Sequence, residues 1–389
     1  MNAFFISCEM TRNPDLIGKP SAVAGDPQRR TGIILAANYE ARKFGVRTAM
    51  TVQKALKLCP HMILVPPDHK FYQQKSCEVM KLLSNYTPLV EKNSIDEAWL
   101  DMTGTQNLFG SPLEAAKMIM EDIKTNLGLW CSIGISENKF LSKMASDMKK
   151  PLGITELWKK DIELKLWPLP VKFMYGIGEK TAYKLNTIGI ETMGDLAKVD
   201  KNHVYNILGK PGIELYERAN GIDFSPVAVG SPDDMKSIGR STTLPEDVKD
   251  IEKLKYILME LSEDVGMTAR KHNKKGRVVH ITLKFSDFNV INRQTTVAPT
   301  CFTNDIYHAG YDLLKKNLPS NKAVRLIGIT LGGFEENCLS EQISIFDIAT
   351  DSKSNFIENN KHGKIDEVMD KIRDKYGFEK ISRASLIKK

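Results

Sequence analysis

Ser94-Ile95-Asp96-Glu97-Ala98 sets two adjacent acids inside an apolar frame, with Trp99-Leu100 following. On a regular strand, neighbours point to opposite faces, so both carboxylates reach one site only at a turn or bulge. Asn93-Ser94 supplies a turn signal immediately upstream. Two carboxylates beside apolar packing need compensation, and a divalent cation is the usual source. A hairpin tip with two solvated acids is the plain alternative, and the pair alone does not decide between them.

Outward from this pair the chain alternates strand-like and helix-like stretches. Ile33-Ile34-Leu35-Ala36-Ala37 reads as a buried strand running into a helix from Asn38. Thr51 can cap a helix presenting Val52, Ala55, Leu56 and Cys59 on one face. Ser111-Pro112-Leu113-Glu114 is a capping box with proline at the first helical position. Its helix presents Leu113, Ala116, Ile119, Met120, Ile123 and Leu127, and Cys131 to Ile135 reads as the next strand. This order suggests an α+β or α/β layer. Near residue 165 the texture becomes helical, cut into short pieces by Gly176, Gly178, Gly189, Gly194, Gly209 and Gly212. From about residue 225 it loosens into a linker with Gly230-Ser231-Pro232-Asp233-Asp234. Beyond lie a helix from about Val248 to Lys271, strands at 277–286 and 289–297, a helix near 305–317 and a strand at 324–331. The end is polar, then helical from Lys364 to about Tyr376, then a short basic tail.

With 389 residues the chain is too long for one small core, so several domains are expected. No apolar run is long enough to span a bilayer, and no basic-then-apolar leader is read at Met1. The six cysteines stand singly, without zinc or disulfide spacing, which suits a cytoplasmic protein. The formal net charge of +7 favours a polyanionic partner only weakly. Local clusters say more: Arg29-Arg30, Lys149-Lys150, and Arg270-Lys271 with Lys274, Lys275 and Arg277.

Four further runs fall in order around the acidic pair. They are Ala37-Asn38-Tyr39-Glu40-Ala41-Arg42-Lys43-Phe44-Gly45-Val46, Gly134-Ile135-Ser136-Glu137-Asn138-Lys139, Asp147-Met148-Lys149-Lys150-Pro151-Leu152-Gly153-Ile154, and Lys236-Ser237-Ile238-Gly239-Arg240. Together with Ser94–Ala98, this set resembles the fingers, palm and extra-domain motifs of the Y-family, or lesion-bypass, DNA polymerases. The resemblance implies an α+β, right-hand polymerase. It implies a palm at 1–11 and 69–157, fingers at 12–68 and a helix-hairpin-helix-like thumb at 158–224. It further implies a linker at 225–237, a little-finger DNA-binding domain at 238–336 and a tail at 337–389.

By this resemblance a primer 3′-hydroxyl attacks the α-phosphate of a deoxynucleoside triphosphate, with two Mg2+ ions as cofactor. Asp96 and Glu97 are then the metal ligands, joined by the backbone carbonyl of Met1. Tyr39, Arg42 and Lys150 match the triphosphate contacts, and Phe5 the aromatic gate that excludes a ribose hydroxyl. Phe4 and Phe5 are adjacent, so one is expected in the core and one at the site. Gly176-Ile177-Gly178 with Lys180 resembles a helix-hairpin-helix turn that holds a DNA phosphate through backbone N–H groups. Arg240, Lys274 and Lys275 are the other expected DNA contacts. Gln342, Ile343, Ile345 and Phe346 resemble the peptide that docks on a sliding clamp. The implied activity is low-fidelity translesion synthesis without proofreading by a monomer, with primer-template DNA, nucleotides and clamp as partners and no membrane.

One departure stands out. The family's third metal ligand is an aspartate ending a strand just before the segment that Met1–Glu9 matches, and it has no counterpart here. Glu9 and Asp15 are out of register for it. The favoured expectation is that the natural start lies upstream. For the chain as written, the expectation is a catalytically impaired relative that still binds DNA and clamp.

Overall fold

The computed structural model describes residues 1–26, 32–229, 235–319, 321–334, 352–377 and 380–386. The chain forms two units, Met1–Ser231 and Pro232–Lys389.

In the first unit the start signals read from the sequence act where they stand. Asn38 accepts from Ala41 N and opens the helix Tyr39–Lys43, directly after the strand Ile34–Ala37. Thr51 caps Val52–Leu58, and Ser111 with Glu114 closes both halves of the capping box of Pro112–Leu127. That helix buries Ala115, Ala116, Ile119 and Ile123, while Leu113 is exposed.

Three cores fill this unit. One lies around the three-stranded sheet Ile34–Ala37, Ser21–Ala24 and Ile63–Val65 and gathers Ala22, Ile34, Ala41, Val46, Val52 and Ala55. A second packs the helices Phe4–Arg12, His69–Leu83 and Pro112–Leu127 around Phe4, Ile6, Tyr72, Val79, Ile119 and Leu129. The third joins the helix Lys139–Met148, through Phe140, Leu141 and Met144, to the short helices between residues 162 and 219. The expected palm–thumb boundary at residue 157 therefore crosses one continuous core. Gly134 makes the close approach possible: a Cβ there would lie 1.9 Å from the Ser142 carbonyl oxygen of that helix.

The second unit is a four-stranded antiparallel sheet with helices on one face. Its strand order is Val290–Thr300, Gly276–Phe285, Val324–Phe334 and Ser237–Val248. The helices Ile251–Lys271 and Thr303–Asn317 cover the face that carries Ile281, Leu283, Ile327 and Ile329. The sequence reading named only the beginning of Ser237–Val248 and placed a helix from Val248. Pro245 lies inside this strand, where it removes a ladder donor, and the strand is tolerated because it sits at the sheet edge.

The C-terminal helix spans Ser352–Tyr376, starting earlier than Lys364. It is not a loose tail: Asp366, Met369 and Arg373 are buried. Arg270, part of a basic cluster in the sequence, is largely covered by it, bonded to Asp366 at 3.0 Å and Asp370 at 2.6 Å. Arg373 and Arg383 both hold Glu263, Arg383 also meets Asp366, and Thr303 N donates to Asp366 at 2.9 Å. A buried face built from charged residues reads as surface in a sequence.

Candidate active site

Asp96 and Glu97 stand at the end of a hairpin. The strands Val90–Lys92 and Ala98–Leu100 pair antiparallel, and the turn is closed by Asn93 N and Ser94 N, both donating to the Glu97 carbonyl at 2.9 and 3.2 Å. This break in regular strand geometry lets two neighbouring side chains share one site. Ser94 Oγ donates to Asp96 Oδ1 at 2.9 Å. Glu97 is held from both sides, by Lys143 Nζ at 2.6 Å and Asn93 Nδ2 at 3.0 Å. Burial pushes the Glu97 carboxyl up, but the Lys143 ammonium and the Asn93 amide hold it below its ordinary value.

Lys143 was not singled out from the sequence. It also pairs with Asp147 at 3.2 Å, and Asp147 takes Lys150 at 2.6 Å. A chain of alternating charge thus runs from Glu97 to Lys150. Burial raises the Asp147 carboxyl, and the two lysines more than reverse that. The only hint in the sequence was the i, i+4 spacing of Lys143 and Asp147.

A cavity of about 300 Å³ opens beside the hairpin. It is lined by Met1, Phe5, Tyr39, Arg42, Asp96, Glu97 and Lys150, among others. These residues come from separate stretches of sequence, and the fold brings all of them to one cavity. Arg42 Nε donates to the Ala37 carbonyl at 2.9 Å, and its guanidinium lies 4.9 Å from the Tyr39 ring centre. These two contacts restrain the planar guanidinium, which offers further N–H donors of the kind that suit phosphate oxygens. Phe4 is buried in the core, and Phe5 lines the cavity. Thr48 also lines it and was not read from the sequence.

Met1 stands at the cavity edge, its main-chain nitrogen donating to the Asp96 carbonyl at 2.6 Å, while Asn2 N donates to Trp130 O at 2.8 Å. A larger cavity, about 720 Å³, lies beside the hairpin and the parallel pair Ile133–Ile135 with Ile154–Glu156. Among the described residues, no group of three acids, histidines or cysteines is placed to hold a metal ion.

Residues 1–147 match the impB/mucB/samB family, residues 235–345 its C-terminal domain, and residues 159–190 the HHH motif of the IMS family. Over 387 residues the chain is 67% identical to DNA polymerase IV of Alkaliphilus oremlandii, covering 100% of this chain and 97% of that relative. The chain belongs to the Y family of DNA polymerases. It is 59% identical to DNA polymerase IV of Clostridium kluyveri, with 100% and 97% of the two chains covered. Among solved structures it resembles the Y-family DNA polymerase chimera Dbh-Dpo4(243-245)-Dbh, with a TM-score of 0.78 at 28% identity, covering 86% of this chain and 98% of that one. DinB from Sulfolobus solfataricus gives a TM-score of 0.57 at the same identity and coverage. Membership in the Y family makes the protein a DNA-directed DNA polymerase with a right-hand α+β fold and a C-terminal little-finger domain.

Gly176, Gly178 and Lys180, in the first unit of this Y-family member, do not line the cavity. Gly176, with φ +95°, and Gly178 form the turn before the helix Glu179–Asn186, which carries Lys180 in its first turn. In the second unit, Lys274 and Lys275 sit between the helix Ile251–Lys271 and the strand Gly276–Phe285. Arg240 pairs in register with Ile329, a buried residue of the helix-covered face, and its guanidinium is bound by Asp264 at 2.7 Å. The opposite sheet face carries Ser241, Gly328, Thr282 and Asn292 in one row and Gly239, Thr330, His280 and Gln294 in the next. Gln342, Ile343, Ile345 and Phe346, and the pair Arg29-Arg30, lie outside the described residues. No described helix is long and apolar enough to cross a membrane.

Proposed function

We propose that this protein is a translesion DNA polymerase, joining deoxynucleotides to a primer 3′-hydroxyl by two-metal phosphoryl transfer, with low fidelity and no proofreading. The observation that carries the reading is the single cavity gathering Phe5, Tyr39, Arg42, Asp96, Glu97 and Lys150. The donors there suit a hard cation. Asp96 and Glu97 offer carboxylate oxygens and Met1 a main-chain carbonyl, and magnesium is commonly held by one or two carboxylates with substrate phosphates completing the shell. When bound, magnesium would neutralise phosphate charge and activate the attacking oxygen.

The chain's own groups supply the rest. Arg42 and Lys150 meet the triphosphate, Arg42 as a fork and Lys150 as a point charge. Asp147 holds Lys150 in place, and Lys143 with Asn93 fixes the Glu97 carboxylate. Phe5, which lines the same cavity, acts as the gate against a 2′-hydroxyl. Gly176, Gly178, Lys180, Lys274 and Lys275 grip the DNA backbone without reading sequence. The sheet face of serine, threonine, asparagine and glycine lies flat against the duplex. The protein works as a cytoplasmic monomer, tethered to the sliding clamp through Gln342, Ile343, Ile345 and Phe346. The alternative of a non-catalytic DNA- and clamp-binding relative draws no support from relatives named as polymerases.

Primer extension on a template bearing one replication-blocking lesion tests this. Extension past the lesion is expected. Synthesis on undamaged DNA that always halts before the lesion would overturn the bypass reading.

A further inference from the structure

The Phe5 ring does not stand alone. It is stacked on Tyr72, with centroids 4.5 Å and planes 14° apart, and His69 meets it edge-on at 5.9 Å. Tyr72 has no exposed surface, and its hydroxyl donates to Glu9 Oε1 at 2.6 Å. Glu9 is only 3% exposed. Arg12 grips it with two nitrogens, Nε at 2.7 Å and Nη2 at 2.9 Å. The third, Nη1, reaches Asp68 Oδ2 at 2.9 Å. Asp68 in turn caps the helix His69–Leu83, which carries Tyr72, by accepting from Phe71 N at 3.1 Å. Phe5, Glu9 and Arg12 follow at i, i+4 and i+7 along the helix Phe4–Arg12, so they share one face. The contacts form a closed circuit between two helices: ring on ring, hydroxyl on carboxylate, carboxylate on guanidinium, guanidinium on helix cap.

None of Tyr72, Glu9 and Arg12 lines the cavity. A wall that must exclude a single hydroxyl works only if its position is held to a fraction of an ångström. A phenylalanine in a first helical turn has two torsions with which to yield. Tyr72 blocks its retreat, and Tyr72 cannot tilt without stripping a buried carboxylate of a charge-assisted bond. We infer that Tyr72, Glu9 and Arg12 are positioning residues that hold the Phe5 ring rigid, and that selection of deoxyribose over ribose depends on them. This rests on the proposed role of Phe5 against the sugar.

The test is equilibrium binding, which needs no chemistry. The full chain is assembled on a primer-template whose primer ends in a dideoxynucleotide. The complementary deoxynucleoside and ribonucleoside triphosphates are then titrated separately with magnesium. The wild type prefers the deoxy form, and Phe5→Ala abolishes the preference. Tyr72→Phe, which keeps the ring, and Glu9→Gln, which keeps the shape, each reduce the ratio about tenfold, mostly by tightening the ribonucleotide. In a Phe5→Ala background, Tyr72→Phe adds nothing. The inference is overturned if both single variants keep the wild-type ratio, or if Tyr72→Phe shifts it equally without Phe5. Thermal midpoints check folding, and should Glu9→Gln unfold, Tyr72→Phe decides. A wild type that selects deoxynucleotides yet never incorporates them sinks the catalytic reading and spares this one. A wild type without sugar preference sinks the positioning circuit.

Discussion

The cavity of the first unit and the C-terminal helix of the second both concentrate charge, and they treat it in opposite ways. Under that helix, Glu263, Asp366 and Asp370 are met by Arg270, Arg373 and Arg383, all largely buried and bonded to one another. In the cavity, among the described residues, Asp96 meets no cationic side chain and Arg42 no carboxylate. Their side chains are oriented by the Ser94 hydroxyl and the Ala37 carbonyl, and the nearest cation to Asp96 is the Met1 α-ammonium, which donates to its main-chain carbonyl at 2.6 Å. Charge that the fold satisfies internally holds structure together. Charge that the fold orients and leaves unneutralised is available to a charged ligand. Within the cavity the contrast applies to Asp96 and Arg42, since Glu97 and Lys150 are themselves paired with Lys143 and Asp147.

Substitutions should divide along that line. The largest effect is expected for Asp96→Asn, which removes a carboxylate the site does not use for folding. Single-turnover incorporation should fall ~10³-fold or more while the unfolding midpoint stays put. A variant within tenfold of wild type would break the comparison. Arg42→Ala should come next, weakening nucleotide binding about 10–100-fold through lost phosphate contacts, read as a rise in KM larger than any fall in kcat. Arg373→Met should reverse the pattern. Leaving Glu263 short of a partner in a buried setting costs about 3–5 kcal/mol, seen in thermal or denaturant unfolding, with nucleotide affinity unchanged. The smallest effect is expected for Arg240→Ala. Its partner Asp264 lies on the helix side in a half-exposed pair, so stability should change by less than ~1 kcal/mol. DNA affinity should change less than for Lys274→Ala or Lys275→Ala, each of which should lower the salt slope by about one.

Much of the site was legible because its residues sit in runs with fixed registers. Asn38, Thr51 and Ser111 announce their helices, and Asn93-Ser94 announces the turn that carries the acids. What stayed hidden depends on tertiary neighbours. Lys143 looks like an ordinary helix cation until the fold sets it against Glu97. Tyr72 and Glu9 look like core and surface residues, though they meet across 63 positions of sequence. The strand Ser237–Val248 was missed because an edge strand tolerates proline and shows polar residues on both faces. The docking of Ser352–Tyr376 was missed because its buried face is charged, and hydrophobic periodicity is blind to a salt-bridged seam.

The most direct measurement is single-nucleotide incorporation by the wild-type protein on a primed template, with each of the four template bases in turn, in magnesium and again in chelator. Each template base should direct addition of its complementary deoxynucleotide, in magnesium only. Incorporation that ignores the template, persists in chelator, or does not occur at all would contradict it.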